Sequence, residues 1–360
     1  MVGFLLFGPV VFPAQAAFTA LYVFGDALST TTNNTSGLPY YYGLRYSNGR
    51  VWVEVLAQRQ GLTYDSNKNW SYFYNTSTTL VANVSSFTAP ANASNALFVI
   101  WVNCADLWFP AYYSGTSMAQ WTSAINQAQT NHYKAVTNLY AKGARTLIMP
   151  NAVDVSTIPA FDNSPNASFI HLRCLDYNVA FSNTLNQIRA SCPNLVLYTP
   201  DFFTLLTNML AHPANYGVIN AVYNYGQGNV SIDAVTDPGL SNKALNGPGT
   251  NYIFWDPQNP TAMVHAWMAN LTQQLISPVR ISQITAFNGS NQLVIANFPI
   301  GQSGLVLGRT NLILGNWTTN TLSNNTNTFT STNTTQTIYV PASGPQWFYR
   351  LKFLYSWTWP

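Results

Sequence analysis

The chain of 360 residues is 47% hydrophobic, enough to fill the cores of one large domain and one small one, which excludes an intrinsically disordered protein. Charged residues make up only 7% of it, against roughly 25% in ordinary soluble domains, and Asn, Thr, Ser and aromatic residues fill the deficit, so a neutral polar surface is expected. The 14 basic and 11 acidic residues give a net charge of +3 with no run of Lys or Arg, which argues against nucleic acid as a partner.

The chain opens on MVGFLLFGPVVFPAQAAF, an apolar run closed by Ala14-Gln15-Ala16, the small-x-small pattern of a signal-peptidase site. Residues 1–16 are therefore expected to be a signal peptide, although the run holds no Lys or Arg and Pro9 and Pro13 interrupt it. A secreted or cell-surface protein follows. The run is shorter than the ~20 apolar residues of a spanning helix, and no later segment looks transmembrane, so no stable membrane span is expected.

From Ala20 to about Ile276, short apolar runs alternate with longer helical stretches. ALYVFGD, ALFVIWVN, RTLIMPN and NLVLYTPD are near-continuous apolar runs, as parallel strands covered on both faces require. Between them, NHYKAVTNLYAKGA puts Tyr133, Val136 and Tyr140 on one helical face and closes at Gly143. The segment carrying Leu175, Val179, Phe181, Leu185 and Ile188 ends before Pro193. This βαβ series predicts an α/β domain over 17–277 with a doubly covered parallel sheet, which binds ligands at the carboxyl ends of its strands.

After QQLISPVRIS the pattern changes. QLVIANFPIG, GLVLGRTNLILGNWTT, TQTIYVPASG and QWFYRLKF alternate apolar and polar residues between Asn, Gly and Ser turns, predicting a small antiparallel β-sandwich domain over 278–360. The Asn/Thr tract from Thr319 to Thr337 reads as polar strands with a loop, and the terminal YSWTWP as core packing. Cys104, Cys174 and Cys192 are odd in number and lack C-x-x-C spacing, so they read as small buried hydrophobes, with a Cys174–Cys192 bridge as the alternative. His132, His171, His212 and His265 are too dispersed for a metal site and no Gly-rich phosphate loop follows a strand, so neither metal nor cofactor is expected.

Four stretches in order, YVFGDALS (Tyr22–Ser29), RYSNGRVWVEVLAQRQGL (Arg45–Leu62), LFVIWVNCADLWF (Leu97–Phe109) and YIFWDPQNPTAMVH (Tyr252–His265), resemble the blocks of the GDSL or SGNH hydrolases. The resemblance spans Ala20 to Ile276. It implies the flavodoxin-like, three-layer parallel sheet of that family of secreted esterases and lipases. It also implies a set of roles by position. The nucleophilic serine would stand at Ala27, where a methyl cannot attack a carbonyl. Gly49 keeps the place of the glycine whose N–H serves the oxyanion hole, while Ala105 stands where the family has an asparagine donor. Asp256 keeps the orienting aspartate, and Asn259 replaces the general-base histidine. In a Ser-His-Asp system the loss of serine or histidine leaves only about 10³–10⁴ over water, so ordinary ester hydrolysis by this route should be undetectable.

Substitutes are few. Ser29 lies two residues past Ala27 and, on a helical turn, points away from the site. His265 takes the second histidine position of the last block and reads as a structural, partly buried residue. Asn259 also reads as an N-cap ahead of Pro260 at the first helical position. Asn103 offers an amide near Ala105. Asp26 and Asp106 are expected to bond the loops at the strand ends, and Asp256 to be an orienter with nothing to orient. Tyr40, Tyr41, Tyr42, Trp101, Trp108, Tyr112, Tyr113 and Trp255 fall where they would rim the strand ends, as core or as a sugar-stacking or acyl-binding surface. The β domain resembles C-terminal modules of secreted bacterial proteins, in which TNLILGNWT and a terminal FYRLKF recur; that implies attachment, spacing or export.

The reading that follows is a secreted, catalytically degenerate hydrolase-fold protein that binds a small-molecule, lipid, ester or glycan ligand or a surface partner. An active ester hydrolase with a rearranged site and a structural or adhesive surface protein are the alternatives.

Overall fold

A computed structural model describes residues 18–32, 40–224, 228–310, 315–324, 326–342 and 348–354. The expected signal peptide and the terminal YSWTWP lie outside these residues.

Each predicted apolar run of the first part becomes a strand. They are β1 (Leu21–Gly25), β2 (Leu97–Trp101), β3 (Thr146–Ile148) and β4 (Val196–Tyr198), paired in parallel in the order β1-β2-β3-β4. Every residue of β1 and β2 is buried, which is why their sequences lack the alternation of half-exposed strands. On the other side of β1, one isolated parallel bridge forms among the described residues, Val23↔Asn69. Backbone bonds Trp70 N to Val23 O (2.7 Å) and Tyr72 N to Gly25 O (3.4 Å) flank it. The Asn69 side-chain amide there bonds Ser29 O, Thr31 Oγ1 and Tyr64 Oη.

The helices are α1 (Trp52–Arg59), α2 (Ser77–Ser86), α3 (Asn103–Tyr113), α4 (Met118–Ala141), α5 (Ala167–Ser191), α6 (Phe202–Ala211) and α7 (Ala262–Ile276). One layer packs α1 against α7, and the other packs α4 against α2 and α5. Gly143 follows α4 at φ +98°, a left-handed conformation that only glycine adopts without strain. A small hairpin of β5 (Val222–Asn224) and β6 (Asn229–Ser231) lies off the main sheet. All three cysteines are buried and free.

The second part begins with β7 (Arg280–Phe287), which turns through Asn288 and Gly289, at φ +45° and +75°, into β8 (Ser290–Ala296). β12 (Thr335–Pro341) completes that antiparallel sheet in the order β12-β8-β7. The facing sheet centres on β9 (Ser303–Arg309), with β10 (Thr318–Thr319) and β11 (Phe329–Thr330) beside it and β13 (Phe348–Leu354) also paired to it. The Asn/Thr tract thus contributes short polar strands. A separate core forms around Phe298, whose ring meets Phe329 at 5.0 Å and Phe353 at 5.5 Å. The two parts meet at the carboxyl ends of α1 and α7. Gln60 bonds Gln273 there within the first part, and Arg59 Nη1 donates across to Ile300 O of the second (3.5 Å).

Candidate functional site

β1 ends in the Gly-Asp pair and enters a single 3-10 turn, Ala27–Ser29. A side chain at Gly25 would meet Ser71 Oγ at 2.7 Å and Ser29 Cβ at 2.8 Å, so glycine is required by close packing. Asp26 then ties the turn to α3: Oδ1 accepts from Leu28 N (3.0 Å) and Oδ2 from Ala105 N (3.3 Å). Asp106 accepts from Ser77 N (2.9 Å) and Tyr177 Oη (3.3 Å). Both aspartates therefore bond strand-end loops, and burial pushes each up to about 7 because the charged carboxylate is poorly solvated there.

Ala27, Ala105 and Asn259 converge on one cleft. Its volume of about 60 Å³ compares with the ~10–15 Å³ that one water requires, so it takes a group of a few heavy atoms. Asp26, Cys104 and Gln258 also line it, and Phe73, Tyr74, Trp108 and Phe109 supply its aromatic wall. Cys104 is no thiolate nucleophile: burial, with Asp26 nearby, holds its thiol well above the usual range.

Asn259 reaches the cleft from a turn built around Asp256. Asp256 is buried; Oδ1 accepts from Gln258 N and Asn259 N, both at 2.8 Å, and Oδ2 from Tyr41 Oη at 2.8 Å. Asn259 Nδ2 donates to both carboxylate oxygens at 2.9 Å. Asp256 therefore orients an amide, and an amide nitrogen has no lone pair free to take a proton. These bonds also overturn the N-cap expectation for Asn259. α7 starts at Ala262 with Thr261 as its N-cap residue, because the Asn259 side chain is committed to Asp256. Instead, Asn48 Oδ1, from the loop before α1, accepts from Ala262 N at 2.8 Å.

The other candidates do not join the cleft lining. Gly49 is buried in the turn that leads into α1, next to Asn48. Ser29 is fully buried, and its Oγ accepts from Trp52 Nε1 at 3.0 Å. Asn103 donates its amide to Pro150 O at 3.1 Å. His265 is completely buried within α7, not partly as expected. Both its ring nitrogens lack partners among the described residues, and burial lowers its pKa to about 3.

The expected aromatic rim divides in two. Trp101 and Trp255 are core residues whose indoles donate to Asn151 O and Tyr40 O. On α3, Trp108 stacks on Tyr112 (5.1 Å, 9°) and Phe109 on Tyr113 (6.2 Å, 14°), the i,i+4 spacing of neighbours on a helix. Tyr112 and Tyr113 remain 63% and 71% exposed. Tyr74 joins this rim at 5.6 Å from Phe109 while its backbone is held at φ +68°, a conformation costly for a residue with a large side chain. The sequence carries no local signal for Tyr74, nor for Tyr41 as the partner of Asp256, because both act across long chain separations. Among the described residues no group of three or more His, Cys, Asp or Glu is placed to hold a metal ion. No helix among them is long and apolar enough to cross a membrane.

The family described as GDSL-like Lipase/Acylhydrolase matches residues 21–272. An acetylesterase of Thermothelomyces thermophilus is 24% identical over 243 residues, covering 57% of this chain and 78% of that protein. A phosphatidylcholine-sterol acyltransferase of Aeromonas hydrophila is 24% identical over 326 residues, covering 72% of this chain and 92% of that protein. Among solved structures, an acetylxylan esterase from Geobacillus stearothermophilus aligns with 12% identity and a TM-score of 0.40, over 72% of this chain and 94% of its own.

Proposed function

The chain belongs to the GDSL-like lipase/acylhydrolase family, and from that premise we propose that its cleft binds an ester or acylated glycan without hydrolysing it. One observation carries this reading: the Asn259 amide chelates both oxygens of Asp256 at 2.9 Å, opposite a methyl at Ala27. With no hydroxyl to attack and no imidazole to accept its proton, neither the acylation step nor its reversal has a route. The small cleft suits a short acyl end, and the stacked rings of α3 offer flat apolar faces to the remainder of the ligand. An acetyl ester fits that description, in keeping with the acetylesterase to which the chain is similar.

Turnover of p-nitrophenyl acetate is expected to equal that of heat-denatured protein. Saturable turnover that disappears in Asp26→Asn or Asp256→Asn would overturn the proposal in favour of an active esterase with a rearranged site. Calorimetric titration with acetylated xylo-oligosaccharide is expected to show binding that Tyr74→Ala and Trp108→Ala abolish. Export belongs to the same proposal and rests on the apolar run ending in Ala14-Gln15-Ala16. The mature protein recovered from medium should begin at Ala17, and retention of residues 1–16 would count against cleavage there.

A further inference from the structure

The two parts of the chain differ sharply in charge. Up to residue 277 there are ten basic and eleven acidic residues; from 278 onward there are Arg280, Arg309, Arg350 and Lys352 and no Asp or Glu. The whole positive excess of the protein therefore comes from the β part. Strand register gathers three of these cations on one face. Arg309 of β9 pairs with Phe348 of β13, so it shares a face with Phe348 and with the residues two and four positions further on, Arg350 and Lys352. Tyr349 and Phe353 point the other way, Tyr349 accepting from Asn291 of the facing sheet at 2.6 Å and Phe353 meeting Phe298.

Trp317 stands at this cationic face. The guanidiniums of Arg309 and Arg350 both pack over its ring, at 5.0 and 4.7 Å from the centroid, which orders two cations that would otherwise repel. Arg309 Nε has no hydrogen-bond partner among the described residues, and no carboxylate there pairs with Arg309, Arg350 or Lys352. Exposed Thr319, paired with Leu307 two residues before Arg309, lies on the same face, while the exposed large apolar residues among the described residues of this part, Ile284, Phe287 and Tyr339, belong to the opposite sheet.

We propose that this face binds an acidic polysaccharide. Its cations, clustered without a paired carboxylate among the described residues, match a regularly charged polymer, the Thr319 hydroxyl matches sugar oxygens, and the exposed large apolar side chains among the described residues of this part lie on the other sheet, away from it. The site also leaves the cleft free. The amino end of α7 lies beside Asn259, its carboxyl end meets the β part, and its 15 residues separate the two by ~22 Å. A chain held by its β part would present the cleft outward.

The full chain is tested by affinity electrophoresis in gels containing polygalacturonate or neutral dextran. Retardation is expected with polygalacturonate alone, fading by ~0.5 M NaCl as the screening length falls to a few ångströms. Replacing all three cations (Arg309→Gln, Arg350→Gln, Lys352→Gln) is expected to weaken binding roughly tenfold or more. Lys352→Gln alone, at an exposed position that cannot disturb folding, should weaken it by roughly a few-fold. Equal mobility in both gels, or parental binding by the Lys352 variant, overturns the proposal. So does sedimentation with phosphatidylglycerol vesicles without retardation by polygalacturonate, which would assign the face to a lipid surface. None of these readouts depends on the cleft, so the proposed function stands or falls separately.

Discussion

In the α/β part, carboxylates are fastened into the frame. Asp26 joins β1 to α3, Asp106 holds the start of α2, Asp201 caps α6 through Thr204 N, and Asp256 gathers Tyr41, Gln258 and Asn259. The β part contains no Asp, Glu or His. The difference follows from topology. Parallel strands need a loop and a helix at every carboxyl end, and each new turn exposes N–H groups that a buried acceptor must satisfy. Antiparallel strands close through tight turns such as Asn288-Gly289 and satisfy their backbone in the ladder itself. On the proposed reading, Asn259 replaces a histidine as the partner of Asp256, and the frame keeps its carboxylates either way.

The largest effect should come from reversing that replacement. Ala27→Ser, Ala105→Asn and Asn259→His made together are expected to raise p-nitrophenyl acetate turnover by about 10³-fold or more over the parent. An unchanged rate would mean that the cleft itself, and not only its reacting groups, has diverged.

The separateness of the two cores can be broken next. Trp101→Ala and Phe298→Ala each remove a fully buried ring and should each cost about 3–5 kcal/mol. In calorimetry the Phe298 variant should destabilise the β part and leave the α/β transition in place. A single transition lowered equally by both substitutions would show the parts to unfold as one.

The pH response sharpens the contrast further. Asp26 and Asp106 titrate near 7 when folded and near 3.8 when unfolded, so their contribution is full below about 3.8 and is lost as pH rises through 7. His132 and His265, lowered by burial to about 4 and 3 from 6.5, contribute above 6.5 and lose that contribution as pH falls. The two pairs oppose each other between about 4 and 6.5. Asp26→Asn with Asp106→Asn should therefore leave a stability that rises with pH across this window. His132→Gln with His265→Gln should leave one that falls. The β part should respond to neither pH nor these substitutions, as thermal melts at several pH values would show.

The smallest expected effect is that of Tyr41→Phe, which deletes one hydrogen bond to Asp256 and should cost about 1 kcal/mol by denaturant titration.

Strands β1 to β4, the long helices α4 and α5 and the change to antiparallel strands after Pro278 were legible in the chain, because each depends on apolar periodicity within a short window. The Gly-Asp turn was equally legible, since it needs only position within a motif. Contacts across some two hundred residues were not. Asn259 read locally as a helix cap because Asn-Pro-Thr has that form. In three dimensions Asp256, three residues back, took its side chain, and Asn48, 214 residues from Ala262, capped α7 instead. Trp101, Trp108 and Trp255 are alike in sequence, yet only Trp108 faces the cleft, because strand and helix directions decide which ring meets solvent. The residues set which groups were available for chemistry; packing decided which of them meet, since a hydrogen bond or a stacked ring requires partners that only the closed chain brings within a few ångströms.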